Sequence, residues 1–190
     1  MSRRGRDPGP GEGRRRGDPA LSGDPLDLIR DDHLRERQIC AHIDALARSA
    51  EPDPQLAAEA LDFLRRELPR HQQDEEEDLF PLLRRRCTPE DEIEALIARL
   101  ADDHAEAAAG LPAVLAVLAA IAGGEPAPTP EARSLLAAHA ARARRHLILE
   151  NAIILPFARL RLGASDLEDL RQRIGQRRRA QTAAGRDHGG

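Results

Sequence analysis

Six side chains recur in a repeated order: His33, the pair His71 and Glu75, then His104, and the pair His146 and Glu150. In both pairs the carboxylate follows the imidazole by four residues. In a helix, four steps of about 100° return the chain to within roughly 40° of its starting direction, so both groups can reach one point. Asp32-His33 recurs as Asp103-His104, His71 follows His33 by 38 residues, and His146 follows His104 by 42. A proline, Pro81 or Pro156, stands ten residues after the second histidine of each set. This is the pattern of a duplicated helical hairpin, each copy supplying two imidazoles and one carboxylate.

A histidine or glutamate on an apolar helix stripe is costly to bury unless it is paired or binds a metal ion. Any one of these histidines alone would be read as an ordinary core or surface residue; six groups in repeating order on inward stripes read as ligands. They would suffice for one octahedral ion. The duplication favours two metals, each holding two imidazoles, with Glu75 and Glu150 bridging and oxygen bridges completing a shell that keeps an open position. Nitrogen and oxygen donors without thiolate favour iron or manganese over structural zinc, and iron is preferred. His139, one heptad before His146, is an outer partner, a pocket group or an extra ligand, set against a bland core or interface role. Glu36, one turn after His33, is a hydrogen-bond partner for a ligand imidazole or half of an ion pair with an arginine. Glu76, Glu77 and Asp78 continue an acidic run and belong to the surface or to the shell behind the ligands. His42 falls on the opposite helix face and His188 in the tail, and neither is given a role.

The elements that must position these groups are helices. Ala, Leu, Arg and Glu dominate, aromatics are 2%, and Phe63, Phe80 and Phe157 are the aromatic residues, a composition that favours helix over strand. Apolar periodicity and Pro/Gly punctuation predict a first helix after Asp24-Pro25, closed by Glu51-Pro52, and a second from Gln55 to near Cys87. A third is capped by Thr88 with Pro89 in its first turn, kinked at Pro112 and stopped at Gly123-Gly124. A fourth restarts at Thr129-Pro130, and a short fifth spans Ser165 to Arg178 with Ser165 and Glu168 at capping-box spacing. The expected fold is all-α: an up-down-up-down antiparallel four-helix bundle with a short fifth C-terminal helix. Residues 1–23 form a disordered Arg/Gly/Pro-rich tail, 24–178 the bundle domain and 179–190 a frayed tail.

Several function classes recede. Cys40 and Cys87 make no disulfide framework, which points to a reduced, cytoplasmic setting. The 29 basic residues, all arginine, stand against 33 acidic ones for a net charge of −4, which does not suggest nucleic acid. The apolar run Leu111–Ala122 contains Pro112 and is shorter than a membrane span, and no apolar h-region follows the basic start. Nucleophile motifs, phosphate loops and cofactor fingerprints are absent.

With those residues in place, the chain resembles the hemerythrin-like family, the HHE cation-binding domain. The matching elements are Asp32-His33, His71-xxx-Glu75 running into Leu79-Phe80-Pro81, Asp103-His104, and His146-xxx-Glu150 running into Leu155-Pro156, over about residues 26–162. The resemblance implies a non-haem di-iron centre inside a four-helix bundle, able to meet oxygen, peroxide or nitric oxide at an open iron. Oxygen-carrying members have a second histidine one turn after the third-helix ligand and a carboxylate five residues after the fourth-helix histidine. Ala108 and Asn151 stand there in this chain, so the carriers' five-histidine asymmetry is not matched. The cysteine-containing N-terminal module of relatives that repair iron-sulfur clusters is replaced by the Arg/Gly/Pro tail. The preferred expectation is a protein that binds or senses oxygen, nitric oxide or iron. An enzyme detoxifying peroxide or nitric oxide or assisting cluster repair comes second, and a helical interaction module with a merely structural polar centre third.

Overall fold

The computed structural model describes residues 23–187, and the side chains of 23–180. Residues 1–22 of the expected tail, and His188, lie outside them. Among the described residues there is no strand, and five helical rods carry the chain. Helix α1 is Pro25–Arg48, opened by Asp24, whose carboxylate accepts the Leu26 N–H at 2.9 Å. Rod α2 runs through Pro54–Asp62, Phe63–Glu67, Leu68–Asp74, Glu75–Leu79 and Phe80–Arg86, with Asp53 as its cap. Helix α3 is Ile93–Ala122, rod α4 runs through Pro130–Leu149, Glu150–Ile154 and Leu155–Arg161, and α5 is Ala164–Asp187. α1 packs on α2 and α4, α3 packs on α2 and α4, and α5 lies against α1 and α2.

Three segments depart from the sequence expectation. Thr88 and Pro89 begin a separate 3-10 turn, Pro89–Asp91, closed by the Thr88 and Asp91 capping box, and Glu92 then takes a left-handed φ of 50° before α3 starts at Ile93. The capping carboxylate at α5 is Asp166, which accepts the Gly163 N–H at 3.0 Å, and the helix runs on to Asp187 where fraying was expected. α3 continues through Pro112 as a helix of 30 residues. By length and composition it is long and apolar enough to cross a membrane, which corrects the judgement made from Leu111–Ala122 alone; its buried stripe, from Ile93 to Ile121, packs in the bundle.

The trailing prolines shape α2 and α4. Leu68, Phe80 and Leu155 each donate their N–H to the carbonyl five residues back, on Phe63, Glu75 and Glu150, and each is followed by a proline. A proline has no N–H and crowds the carbonyl four residues before it, and widening the turn ahead of it to a π-type turn relieves that crowding. Two of the three widened turns therefore begin at glutamates expected to be ligands.

Apolar residues gather in two clusters. One includes Leu26, Ile29, Phe80, Leu83, Ile97 and Ile154, the other Ile39, Ile43, Phe63, Leu64, Leu118 and Leu136. Along each of α1 to α4 the polar residues of interest fall in sequence between the two. Burial of each large apolar side chain in the two clusters contributes about 1.5–3 kcal/mol, and this is what holds a charged layer in the middle of the bundle.

Candidate metal centre

His33, His71, Glu75, His104, His146 and Glu150 are all buried, and Glu75 and Glu150 are 0% exposed. Donor atoms of His33, His71, Glu75 and Glu150 lie within 4.8 Å of one another, and so do those of Glu75, His104, His146 and Glu150. The carboxylates belong to both sets, so the layer offers two adjoining positions. His33 Nε2 lies 3.3 Å from Glu75 Oε1 and 3.4 Å from Glu150 Oε2, and His71 Nε2 lies 3.6 Å from Glu75 Oε1. His104 Nε2 lies 3.6 Å from Glu75 Oε2, while His146 Nε2 is 2.8 Å from both His104 Nε2 and Glu150 Oε1. Every imidazole turns its Nε2 to the two carboxylates.

Each Nδ1 faces a side-chain oxygen on another helix. His33 Nδ1 is 3.2 Å from Asn151 Oδ1 and His104 Nδ1 is 2.7 Å from Glu76 Oε1; the partner is the residue after Glu150 in one case and after Glu75 in the other. His71 Nδ1 lies 4.0 Å from Asp32 Oδ2, and His146 Nδ1 3.6 Å from Asp103 Oδ2. The aspartate of each Asp-His doublet thus backs the histidine of the next helix. At His33 and His104 an oxygen that accepts from Nδ1–H fixes the tautomer that leaves Nε2 free to bind a cation, whereas His71 Nδ1 and His146 Nδ1 have no hydrogen-bond partner and meet their aspartates only as neighbouring charges. Sequence reading gave Asp32 and Asp103 no role, although their repetition before His33 and His104 was the available signal. Asp32 also accepts from Arg178 Nη2 at 2.6 Å and lies 3.6 Å from Arg70, which ties α5 to the layer.

The unsatisfied atoms fit a cation. Glu75 Oε2 and both oxygens of Glu150 have no hydrogen-bond partner, the 2.8 Å approach of His146 being out of line. Orphaned buried polar atoms cost about 1–3 kcal/mol each, more when charged; cations at the two positions would satisfy them. Burial, followed by the charge of His33, pushes His71 down to about 3, so it is neutral with its lone pair available. Burial and then the neighbouring His146 lower His104 as well. Burial and the adjacent Glu150 raise Glu75. At Glu150 burial acts upward, but the approach and charge of His146, followed by the charge of His33, carry it below the ordinary carboxylate range.

Neither Glu36 nor His139 hydrogen-bonds a ligand imidazole; Asn151 occupies the place at His33 expected for Glu36. Both line a cavity of about 30 Å³ beside His104 and His146. Burial and then the charge of Glu150 push Glu36 up to about 8. His42 lies 3.6 Å from Glu59, away from the layer. Of the acidic run, Glu76 meets His104, whereas Asp78 is buried against Arg173 and Arg177.

Fold and layer together define a helical domain with a buried His/Glu cluster that could hold metal ions. The chain belongs to the hemerythrin family: the model of the hemerythrin HHE cation binding domain matches residues 24–158. No curated protein matches it.

Proposed function

We propose that the chain is a hemerythrin-like metal-binding protein whose layer holds two non-haem irons, oxo- or hydroxo-bridged and bridged by Glu75 and Glu150. The ligands of one iron are His33 and His71, and those of the other His104 and His146. The observation that carries this reading is the convergence of four Nε2 atoms on two partnerless carboxylates, with an oxygen behind each Nδ1. The same donors accept manganese. The reading takes α1 to α4 as an up-down-up-down bundle. The order in which the rods traverse the two apolar clusters supports it, because α1 and α3 pass from the first to the second and α2 and α4 from the second to the first.

A bound di-iron pair supplies a redox-active, Lewis-acidic seat for a small ligand. The protein's part is to orient His33 and His104 through Asn151 and Glu76, to set the charges of Asp32 and Asp103 behind His71 and His146, and to keep bulk water out of the layer. The function is binding or sensing of oxygen, nitric oxide or iron in the cytoplasm, with a diatomic or peroxide as ligand and with neither nucleic acid nor membrane as partner. The second reading, a di-iron enzyme that detoxifies peroxide or nitric oxide or assists iron-sulfur cluster repair, is favoured by the cavity beside His104 and His146.

Metal analysis with the visible spectrum tests this. About two irons per chain, with charge-transfer bands that bleach on reduction and return with oxygen, are expected, and His71→Ala and His146→Ala each lose iron. Full iron content in both variants, or a zinc-only chain that takes up no ferrous iron, overturns the proposal. Peroxide or nitric oxide turnover well above that of free iron, lost in the same variants, selects the enzyme.

A further inference from the structure

The two positions of the layer are not equally enclosed. The cavity of about 30 Å³ is lined by His104 and His146, but not by His33 or His71. That volume has room for one or two water-sized centres. Its walls include Glu36 from α1, Ala107 from α3 and His139 and Ala143 from α4, with the charged Asp103 and Arg142 also in the lining. The two alanines leave the gap that longer side chains would close. Glu36 is 7% exposed, and among the described residues none hydrogen-bonds its carboxyl, which is influenced only by burial and by neighbouring charges. An unbonded buried carboxyl costs about 1–3 kcal/mol or more, and the cavity is where a partner for it can sit. His139, half-buried in the α4 part of the lining, likewise makes no hydrogen bond with a described residue.

We propose that the external ligand enters at the His104/His146 position through this cavity, and that Glu36 and His139 hydrogen-bond its outer atom, making the pocket selective for a small hydrogen-bonding ligand of the peroxide class. The inference rests on the metal-centre reading above. Dioxygen and nitric oxide fit the volume but offer weak hydrogen-bond acceptors, so the polar walls add little to their binding. Hydrogen peroxide, with a donor and an acceptor on each oxygen, uses both walls. The position held by His33 and His71 is backed instead by Asn151 and Asp32, and Arg178 of α5 closes on Asp32.

The test uses the iron-loaded full chain, with iron content measured in every variant, azide as the small hydrogen-bond-accepting probe, and nitric oxide as a probe indifferent to the walls. Ala143→Leu fills the cavity: iron content stays at the wild-type level while azide affinity and the rate of reaction with hydrogen peroxide fall at least about tenfold. Glu36→Met and His139→Leu remove one polar wall each: the peroxide reaction slows about tenfold, the worth of one hydrogen bond, and nitric oxide affinity changes less than threefold. The exposed Ala95→Leu on α3, on the helix face opposite His104, is the control and changes none of these. Unchanged azide and peroxide behaviour in iron-replete Ala143→Leu, or equal losses for nitric oxide and peroxide in iron-replete Glu36→Met and His139→Leu, overturns the pocket. Should Ala143→Leu lose iron, the two polar-wall variants decide. A wild-type chain without iron overturns the metal-centre reading itself, an outcome distinct from loss of ligand selectivity in iron-replete variants.

Discussion

The α1/α2 hairpin and the α3/α4 hairpin bring the same ligands in the same order, yet they hold them differently. Behind His71, Asp32 is pinned by Arg178 and Arg70; behind His146, Asp103 is 30% exposed at its side chain and pairs with no arginine among the described residues. His33 is backed by the neutral amide of Asn151 and His104 by the carboxylate of Glu76. The repeat is kept in the order of the His and Glu residues and lost in the groups behind them, and the cavity, with Glu36, Ala107, His139 and Ala143 in its walls, adjoins His104 and His146 but not His33 or His71.

The largest expected effect removes the comparison altogether. Chelation takes the cations from both positions and leaves two buried carboxylates and four imidazoles to satisfy one another. Binding at a thousandfold excess over the dissociation constant is worth about 4 kcal/mol, and each kcal/mol moves the midpoint of a domain this size by about 2–4 °C. A fall in Tm of about 10 °C on chelation, reversed by ferrous iron, is expected in a calorimetric scan. Equal midpoints with and without metal would mean that the layer is held by protein contacts alone.

A smaller effect separates the halves. Truncating a carboxylate that orients a metal-bound imidazole costs about 10–100-fold in affinity. Asp32→Ala is expected at the upper end of that range, because it also removes the contact that Arg178 of α5 makes with the layer. Asp103→Ala is expected at the lower end, since water can replace an exposed oxygen. Competition with a chromophoric chelator measures both, and equal losses would erase the distinction between a pinned and an open half.

Much of this was legible in the sequence, and the part that was not has a physical cause. The clustering of the six His and Glu side chains could be read because helical spacing fixes direction: His71 and Glu75 can only share a face. The trailing prolines were visible as spacing, but their consequence, π-type turns that begin at Glu75 and Glu150, depends on how a helix relieves a proline clash and has no periodic signature. Asp32 and Asp103 escaped because each acts across a helix pair. Periodicity reports the face a side chain occupies and not the neighbour it meets there. Glu36 shows the same limit: its register placed it near the ligands, but the side chain faces the cavity and the bond to His33 is made by Asn151. The Thr88 cap was a correct local motif attached to the wrong element, since the left-handed Glu92 separates its turn from α3.

The smallest expected effect sharpens the comparison at the open half, where Glu36 has no counterpart bonded to it. Its carboxyl is raised from 4.5 to about 8 by burial and by the charge of Glu150. The folded chain therefore holds this proton more tightly than the unfolded chain does. Its contribution to stability is complete below the unfolded value, declines as pH rises from there through about 8, and is flat above it. One proton taken up in this way gives a slope of at most about 1.4 kcal/mol per pH unit. In chelated protein, where metal release does not mask the titration, denaturant unfolding is expected to lose roughly 1 kcal/mol between pH 6 and pH 7 in the wild type relative to Glu36→Gln, whose neutral amide titrates nowhere in that window. Parallel stability profiles for the two proteins would mean that Glu36 is hydrated through the cavity, so that the polar wall beside His104 and His146 is a water channel and not a dry pocket.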